Sequence, residues 1–336
     1  MRSNVNSISA FPGHGGNWGV MIHFLSSHAG KVDYPSSKRK DWEMRVDGVD
    51  VDRLVGDVAD AGAGHLIFTV GQNTGYYCSP NDVFEEALGC PRGTYCTKRD
   101  LIKDMAHACR KRNVRFIAYS TCHPPIGLRE SSHVFGPFPH DGGKRWGMSK
   151  SLLESTPRSE DASMQLLRSK WFPVLRNWAE NWGALIDGWW IDGGYYRDMF
   201  QSSEGLSLPE ILRAGNPQAA IAVAKGHRTS LEDLYSFEDY TAGEFIERPW
   251  FGGWFGSKDF QLLPAQIGKA RVHLLSFLGE YWGRGERKLP ADLALAYTRF
   301  VVGQGALMTW DIPILPEGNI PSDIRQVLNM LADLSE

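Results

Sequence analysis

The stretch Gly188-Trp189-Trp190-Ile191-Asp192-Gly193-Gly194 is an apolar run that ends abruptly in a carboxylate and two glycines. In a β-strand successive side chains alternate between faces, so Trp190 and Asp192 share one face while Trp189 and Ile191 share the other. Both faces are apolar up to the acid, the pattern of a strand buried on two sides within a parallel sheet. A carboxylate at the C-terminal end of such a strand, beside an aromatic ring, stands where barrel enzymes keep reactive groups. The same residues also suit a turn-initiating Asp followed by its glycines. The rest of the chain has to decide between the two.

Outward from this stretch, short apolar runs alternate with helical patterns. Trp18 to Phe24, His65 to Val70 and Arg115 to Ser120 read as three strands before it. Ala219 to Ala224, Tyr240 to Phe245, Leu274 to Glu280 and Ala306 to Ile312 read as strands after it. Between them Met164, Leu167, Trp171, Leu175, Trp178 and Trp182 recur every three or four residues and form one apolar stripe. Asp52 to Ala61, Arg99 to Arg112, Phe260 to Ser276, Pro290 to Gly303 and Ser322 to Leu334 carry similar periodicity. About eight βα units predict one (β/α)8 barrel occupying residues 1–336 as a single catalytic domain. Ser26 to Gly48 and His123 to Thr156 read as long irregular stretches following strands, hence on the active-site face.

Composition narrows the function. The net charge of −3 over 336 residues gives no electrostatic basis for binding nucleic acid or an anionic membrane surface. No apolar run reaches membrane-spanning length, and the first residues lack the apolar segment of a secretory signal, which predicts a cytoplasmic protein. Twelve tryptophans are many, and several follow glycines, as in Trp250-Phe-Gly-Gly-Trp254. Apolar rings on loops suit stacking against sugar faces, although a dimer contact explains Trp250 and Trp254 equally well. Of the five cysteines, Cys78, Cys90 and Cys96 crowd one loop, where free thiols, a bridge or a metal site are all conceivable. There is no Gly-rich phosphate loop, HExxH or GxSxG, so neither a cofactor nor a metal is expected.

Strand ends are where a barrel assembles its site. They supply His23, Gln72, Asn73, Tyr119, Trp190, Asp192 and Glu244: carboxylates, amides, an imidazole and rings that suit a polyol. Two carboxylates on different strands meet the minimum for glycoside hydrolysis, one at the anomeric centre and one protonating the departing oxygen. Asp187, Glu238, Asp239, Glu280 and Asp311 are rival acids, which solvated loops and helix caps also explain.

In order and spacing these segments resemble the α-L-fucosidases of glycoside hydrolase family 29. Trp18 to Phe24 is similar to that family's FGxFIHW opening, and Gly188 to Gly193 to its WFDG nucleophile strand. Asp239 to Phe245 is similar to the segment bearing the acid/base in some members, and Gly303 to Pro321 to the family's closing signature. The resemblance implies that Asp192 is the nucleophile of a retaining double displacement and Glu244 the general acid/base. It implies sugar-binding roles for His23, Trp190, Tyr119 and, through a gapped alignment, Arg228. It also implies a carbohydrate substrate and leaves the oligomeric state open.

Two departures stand out. Where the family carries KHHDG, whose paired histidines grip fucose, this chain has Gly71-Gln72-Asn73-Thr74-Gly75. The family's C-terminal β-sandwich has no counterpart, so Trp250 to Gly256 or His123 to Gly147 would take over its contribution. The expected activity is therefore an exo-acting, retaining α-L-fucosidase type. The alternatives are the same mechanism on L-galactose, D-arabinose or a substituted fucose, or a non-catalytic carbohydrate-binding barrel.

Overall fold

The computed structural model describes residues 16–26, 38–135, 165–194, 207–225, 234–244, 264–332 and 334. In chain order the strands are β1 (Trp18–Ile22), β2 (His65–Thr69), β3 (Arg115–Thr121), β4 (Gly188–Asp192), β5 (Ala220–Val223), β6 (Gln266–Ile267), β7 (Ala270–Arg271), β8 (His273–Phe277) and β9 (Leu307–Asp311). Seven of them form one sheet in the order β5-β4-β3-β2-β1-β9-β8, parallel throughout. β6 and β7 make a separate antiparallel ribbon.

The two ends of this sheet are joined by residues 239–244. Asp239 N–H donates to Ile221 O on β5 at 2.8 Å, and Arg271 N–H donates to Asp239 O at 2.9 Å. Thr241 N–H donates to Arg271 O at 3.0 Å, and Leu275 N–H to Gly243 O at 2.7 Å. Tyr240 and Glu244 bridge in parallel to Arg271 and Leu275. This segment is the eighth stave, and the sheet closes into a TIM-like α/β barrel.

The alternation expected of β4 divides two apolar compartments. Trp190 packs inside the ring with Met21, Ile67, Ile117, Tyr119 and Leu275. Trp189 and Ile191 face the outer layer, where Trp189 Nε1 donates to Leu212 O at 2.9 Å. The bulk of Trp190 is accommodated because its register partner on β5 is only Ala222. Truncating either ring to Ala would cost about 3–5 kcal/mol by leaving a cavity.

The helices are α1 (Lys38–Asp47), α2 (Val51–Asp60), α3 (Asp82–Ala87), α4 (Leu101–Lys111), α5 (Arg129–Phe135), α6 (Phe172–Trp182), α7 (Leu208–Leu212), α8 (Ala291–Gly303) and α9 (Ser322–Ala332). Capping explains two of the starts: Asp50 accepts from Arg53 N–H at 3.1 Å and Asp100 from Lys103 N–H at 3.1 Å. The tryptophan stripe begins as a π turn, Leu167–Trp171, just before Pro173. Pro173 has no N–H to offer the carbonyl four residues back, which accounts for the local widening. No helix among the described residues is long and apolar enough to cross a membrane.

Three expectations need correction. Phe260 to Ser276 is not a helix in its described part: β6, β7 and the start of β8 occupy it, with Gly268 at φ +58° turning the ribbon. Its apolar residues meet a helical spacing, but the turn divides them into short strands. Ser26 to Gly48 contains α1, held by Trp42 and Val46, both buried and four residues apart. His123 to Thr156 contains α5, whose Phe135 stacks on Phe84 at 5.7 Å.

Candidate active site

Asp192 is the last residue of β4 and partly exposed, paired in register with Thr121 of β3. The chain then turns through Gly193 at φ +87°, where a Cβ would lie 2.5 Å from the His123 ring. Only glycine fits both that φ and that approach, which is why the strand ends where it does. Two residues earlier on β3, Tyr119 pairs with Trp190 and stacks on its ring at 5.1 Å. The register brings the phenol to the acid: Tyr119 OH donates to Asp192 Oδ2 at 2.7 Å.

Gln72 follows β2. Its Nε2 donates to the Tyr119 hydroxyl and lies 3.5 Å from Asp192 Oδ2. Burial first, and then the charge of Asp192, push the Tyr119 phenol well above its usual acidity range, so it remains a proton donor. Asn73 is tied down through its main chain, Gly127 N–H donating to its carbonyl at 2.8 Å. Its side-chain Oδ1 is buried and makes no hydrogen bond among the described residues.

Glu244 reaches the same site from the eighth stave. Gly243 precedes it at φ +68°, and a Cβ there would come within 1.9 Å of His273 O. The glycine therefore lets the chain lie against β8, and Trp190 Nε1 secures the approach by donating to Ala242 O at 3.2 Å. Glu244 is partly exposed, yet burial is the main cause that raises its carboxyl well above the usual range. The negative charge of Asp192 is the second cause, so the two acids lie close enough to interact.

A third wall comes from His23, just after β1. Its Nδ1 lies 2.7 Å from Asp311 Oδ1, and its ring meets Tyr119 edge-on at 5.4 Å. Trp282, in the turn after β8, tilts over His23 at 5.9 Å. Trp282, His23, Tyr119 and Trp190 thus form a continuous aromatic course around to Asp192.

Of the expected site residues, His23, Gln72, Asn73, Asp192 and Glu244 stand at the C-terminal ends of strands or just beyond them, while Tyr119 and Trp190 lie two residues inside β3 and β4 and pack beneath them. Arg228, Trp250 and Trp254 lie outside the described residues. Of the rival acids, Asp311 binds His23 within the site, and the other four have partners elsewhere. Asp187 binds Arg115 and Phe116 N–H at the opposite end of β4, and Asp239 binds Arg213 and Ile221 N–H. Glu238 is buried against Lys225, and Glu280 pairs with Lys288 at the surface. Trp282 was not singled out from the sequence. Its signal is an aromatic pair in a glycine-bounded turn, Gly279-Glu-Tyr-Trp-Gly283, directly after a strand.

Cys78, Cys90 and Cys96 are free thiols, with Cys78 Sγ donating to Thr69 O at 3.3 Å. Among the described residues no group of three or more His, Cys, Asp or Glu is placed to hold a metal ion.

No family model matches the chain, and no curated protein matches it in sequence. Solved structures do. An endo-fucoidan hydrolase of glycoside hydrolase family 107, P5AFcnA, superposes with a TM-score of 0.66 at 14% identity, covering 98% of this chain and 94% of its own. The α-L-fucosidase AlfC from Lactobacillus casei, in complex with α-L-fucose, gives 0.65 at 15% identity over 95% of both chains. The fold is that of α-L-fucosidases and fucoidan hydrolases. A further fucosidase-fold match, α-L-fucosidase isoenzyme 1 from Paenibacillus thiaminolyticus, gives 0.62 at 18% identity and covers 98% of this chain and 75% of that one.

Proposed function

We propose that residues 1–336 form one catalytic unit, a retaining, exo-acting glycosidase of α-L-fucosidase type acting on a carbohydrate substrate. The observation that carries this reading is the division of labour between two carboxyls at one barrel mouth. Burial and the charge of Asp192 keep a proton on Glu244, whereas Asp192 accepts a hydrogen bond from Tyr119. A carboxyl that keeps its proton beside a carboxylate that accepts hydrogen bonds is the pairing a general acid and a nucleophile require. The fold shared with α-L-fucosidases and a fucoidan hydrolase supports the same substrate class.

In this mechanism both contacts to Asp192 engage Oδ2, which leaves Oδ1 to attack the anomeric carbon. As the new C–O ester bond forms, the glycosidic bond breaks and the Glu244 proton passes to the leaving oxygen. Water then attacks the same carbon, its proton returns to Glu244, and the ester bond to Asp192 breaks. His23, Trp190 and Trp282 would line the sugar, with Arg228, Trp250 and Trp254 as further candidate contacts.

A related sugar is the second reading, and Gln72 favours it. Its amide nitrogen is committed to Tyr119 and Asp192 in the place where the resemblance puts a hydroxyl-gripping imidazole. A changed grip at that point suits L-galactose, D-arabinose or a substituted fucose.

The test is an aryl-glycoside panel of fucose, galactose and arabinose in both series, with product stereochemistry followed by NMR. The expected result is first-formed product of retained configuration, and a loss of about 10⁴-fold or more in kcat for Asp192→Ala. Inverted product or unimpaired turnover by Asp192→Ala would overturn the assignment.

A further inference from the structure

Asp311 ends β9 in register with Met21 of β1 and Phe277 of β8, and it is completely buried. Both carboxyl oxygens are occupied. Oδ1 lies 2.7 Å from His23 Nδ1, and Oδ2 accepts from the main-chain N–H of Gly283. The main-chain N–H of His23 stabilises the carboxylate as well. Burial still pushes the acid above its usual range, the interaction with His23 being the largest opposing influence. A buried carboxyl with so many donors is expensive to maintain unless those donors are what it is there to hold.

What it holds lies on two elements. His23 follows β1, while Gly283 belongs to the turn that carries Trp282. The Trp282 ring rests on Phe277 at 5.0 Å and on His23 at 5.9 Å, and its Nε1 is buried with no hydrogen-bond partner among the described residues. With Nδ1 engaged by Asp311, the remaining nitrogen of His23 points to the other side of the ring. The wall made by His23 and Trp282 therefore offers one imidazole nitrogen and one indole N–H without hydrogen-bond partners among the described residues.

We propose that Asp311 is the positioning residue of this wall: it fixes His23 in the form protonated at Nδ1 and clamps the Trp282 turn beside it, so that Nε2 of His23 and Nε1 of Trp282 meet adjacent sugar hydroxyls. The inference rests on the glycosidase reading only for the sugar; the tautomer and the clamp are independent of it.

Asp311→Asn separates the two duties without changing shape. Asn has one acceptor oxygen and one NH₂, so it cannot accept from both His23 and Gly283. If the oxygen serves Gly283, the NH₂ faces Nδ1 and drives the His23 proton to Nε2. If it serves His23, the Trp282 turn is released. Two measurements decide. Nitrogen-15 histidine NMR, assigned with His23→Gln, reads the His23 proton in the full chain. Steady-state kinetics use 4-nitrophenyl α-L-fucoside or the panel member turned over fastest, with active sites counted by a 2-fluoro glycoside.

The expected outcome is a wild-type His23 protonated at Nδ1, and in Asp311→Asn a rise in KM of about tenfold with kcat within about threefold. Trp282→Phe, which removes the indole N–H together with part of the ring, should raise KM in the wild type and add less than its full effect in Asp311→Asn. A wild-type His23 carrying its proton on Nε2 alone overturns the proposal, whether or not the variant folds. So does a fall in kcat with KM unchanged. If the wild type hydrolyses no panel member, the glycosidase reading fails, and the NMR result decides the tautomer by itself.

Discussion

Asp192 ends a strand with regular parallel neighbours on both sides, whereas Glu244 stands on a stave held by two bridges and a few main-chain hydrogen bonds. On the Asp192 side the ladder continues past the strand: Cys122 N–H donates to Asp192 O at 2.8 Å and Gly194 N–H to Ala224 O at 2.7 Å. On the Glu244 side the equivalent work falls to Gly243, whose positive φ and close approach to His273 O admit no side chain. One acid is placed by the register of a whole sheet, the other by a single glycine. The difference teaches where the site is robust. Register is shared among many hydrogen bonds and resists local change, while a lone left-handed glycine concentrates the constraint in one residue.

Glu244→Gln tests the weaker side most directly. It should lower kcat/KM by about 10²–10⁴-fold for glycosides with poor leaving groups, and far less for activated aryl glycosides. The pH profile carries a sign. Because the Glu244 acid is raised, the proton it donates is present at low pH and lost as pH rises through that elevated value. Wild-type activity on poor leaving groups should therefore fall on the alkaline side, and that limb should vanish in Glu244→Gln. A limb that survives the substitution belongs to some other group.

Gly243→Ala sharpens the contrast with less chemistry removed. A methyl group here meets His273 O and a left-handed backbone, costing about 1–3 kcal/mol of stability and displacing Glu244. The expected signature is a partial copy of Glu244→Gln, with poor leaving groups hurt more than activated ones. Equal losses on both would mean that the glycine serves the barrel and not the acid.

Tyr119→Phe probes the robust side and should do least. It deletes one hydrogen bond to a charged carboxylate, about 1.5–3 kcal/mol, or roughly 10–100-fold in kcat for the first step. The fold should be unaffected because the ring still stacks on Trp190. Pre-steady-state release of nitrophenol measures that step, and an unchanged burst rate would remove Tyr119 from the nucleophile's surroundings.

Much of this was legible along the chain. The two-sided apolar character of Gly188 to Asp192 named its strand, its inward Trp190 and its terminal acid, and the period of two needs no tertiary information. The tryptophan stripe and the apolar periodicity of Asp52 to Ala61 and Arg99 to Arg112 placed helices for the same local reason. Where reading failed, the competing signals were local too. The ribbon and strand within Phe260 to Ser276 carry apolar spacing that also satisfies a helix, and only Gly268 and long-range pairing with β9 separate the two. The rival acids could not be ranked either, since Asp187 and Asp239 are accounted for by arginines 72 and 26 residues away.

By itself, then, the sequence determined the alternation of strands and helices, the acid that closes β4 and the set of polar residues at strand ends, because each depends on neighbours a few positions apart. Tertiary structure alone decided that Asp311 serves His23 across 288 positions, that Trp282 joins that wall, and that Gln72 turns to Tyr119 and Asp192. Such pairings arise when eight staves close into a ring, and the register between staves is fixed by the packing of the whole barrel.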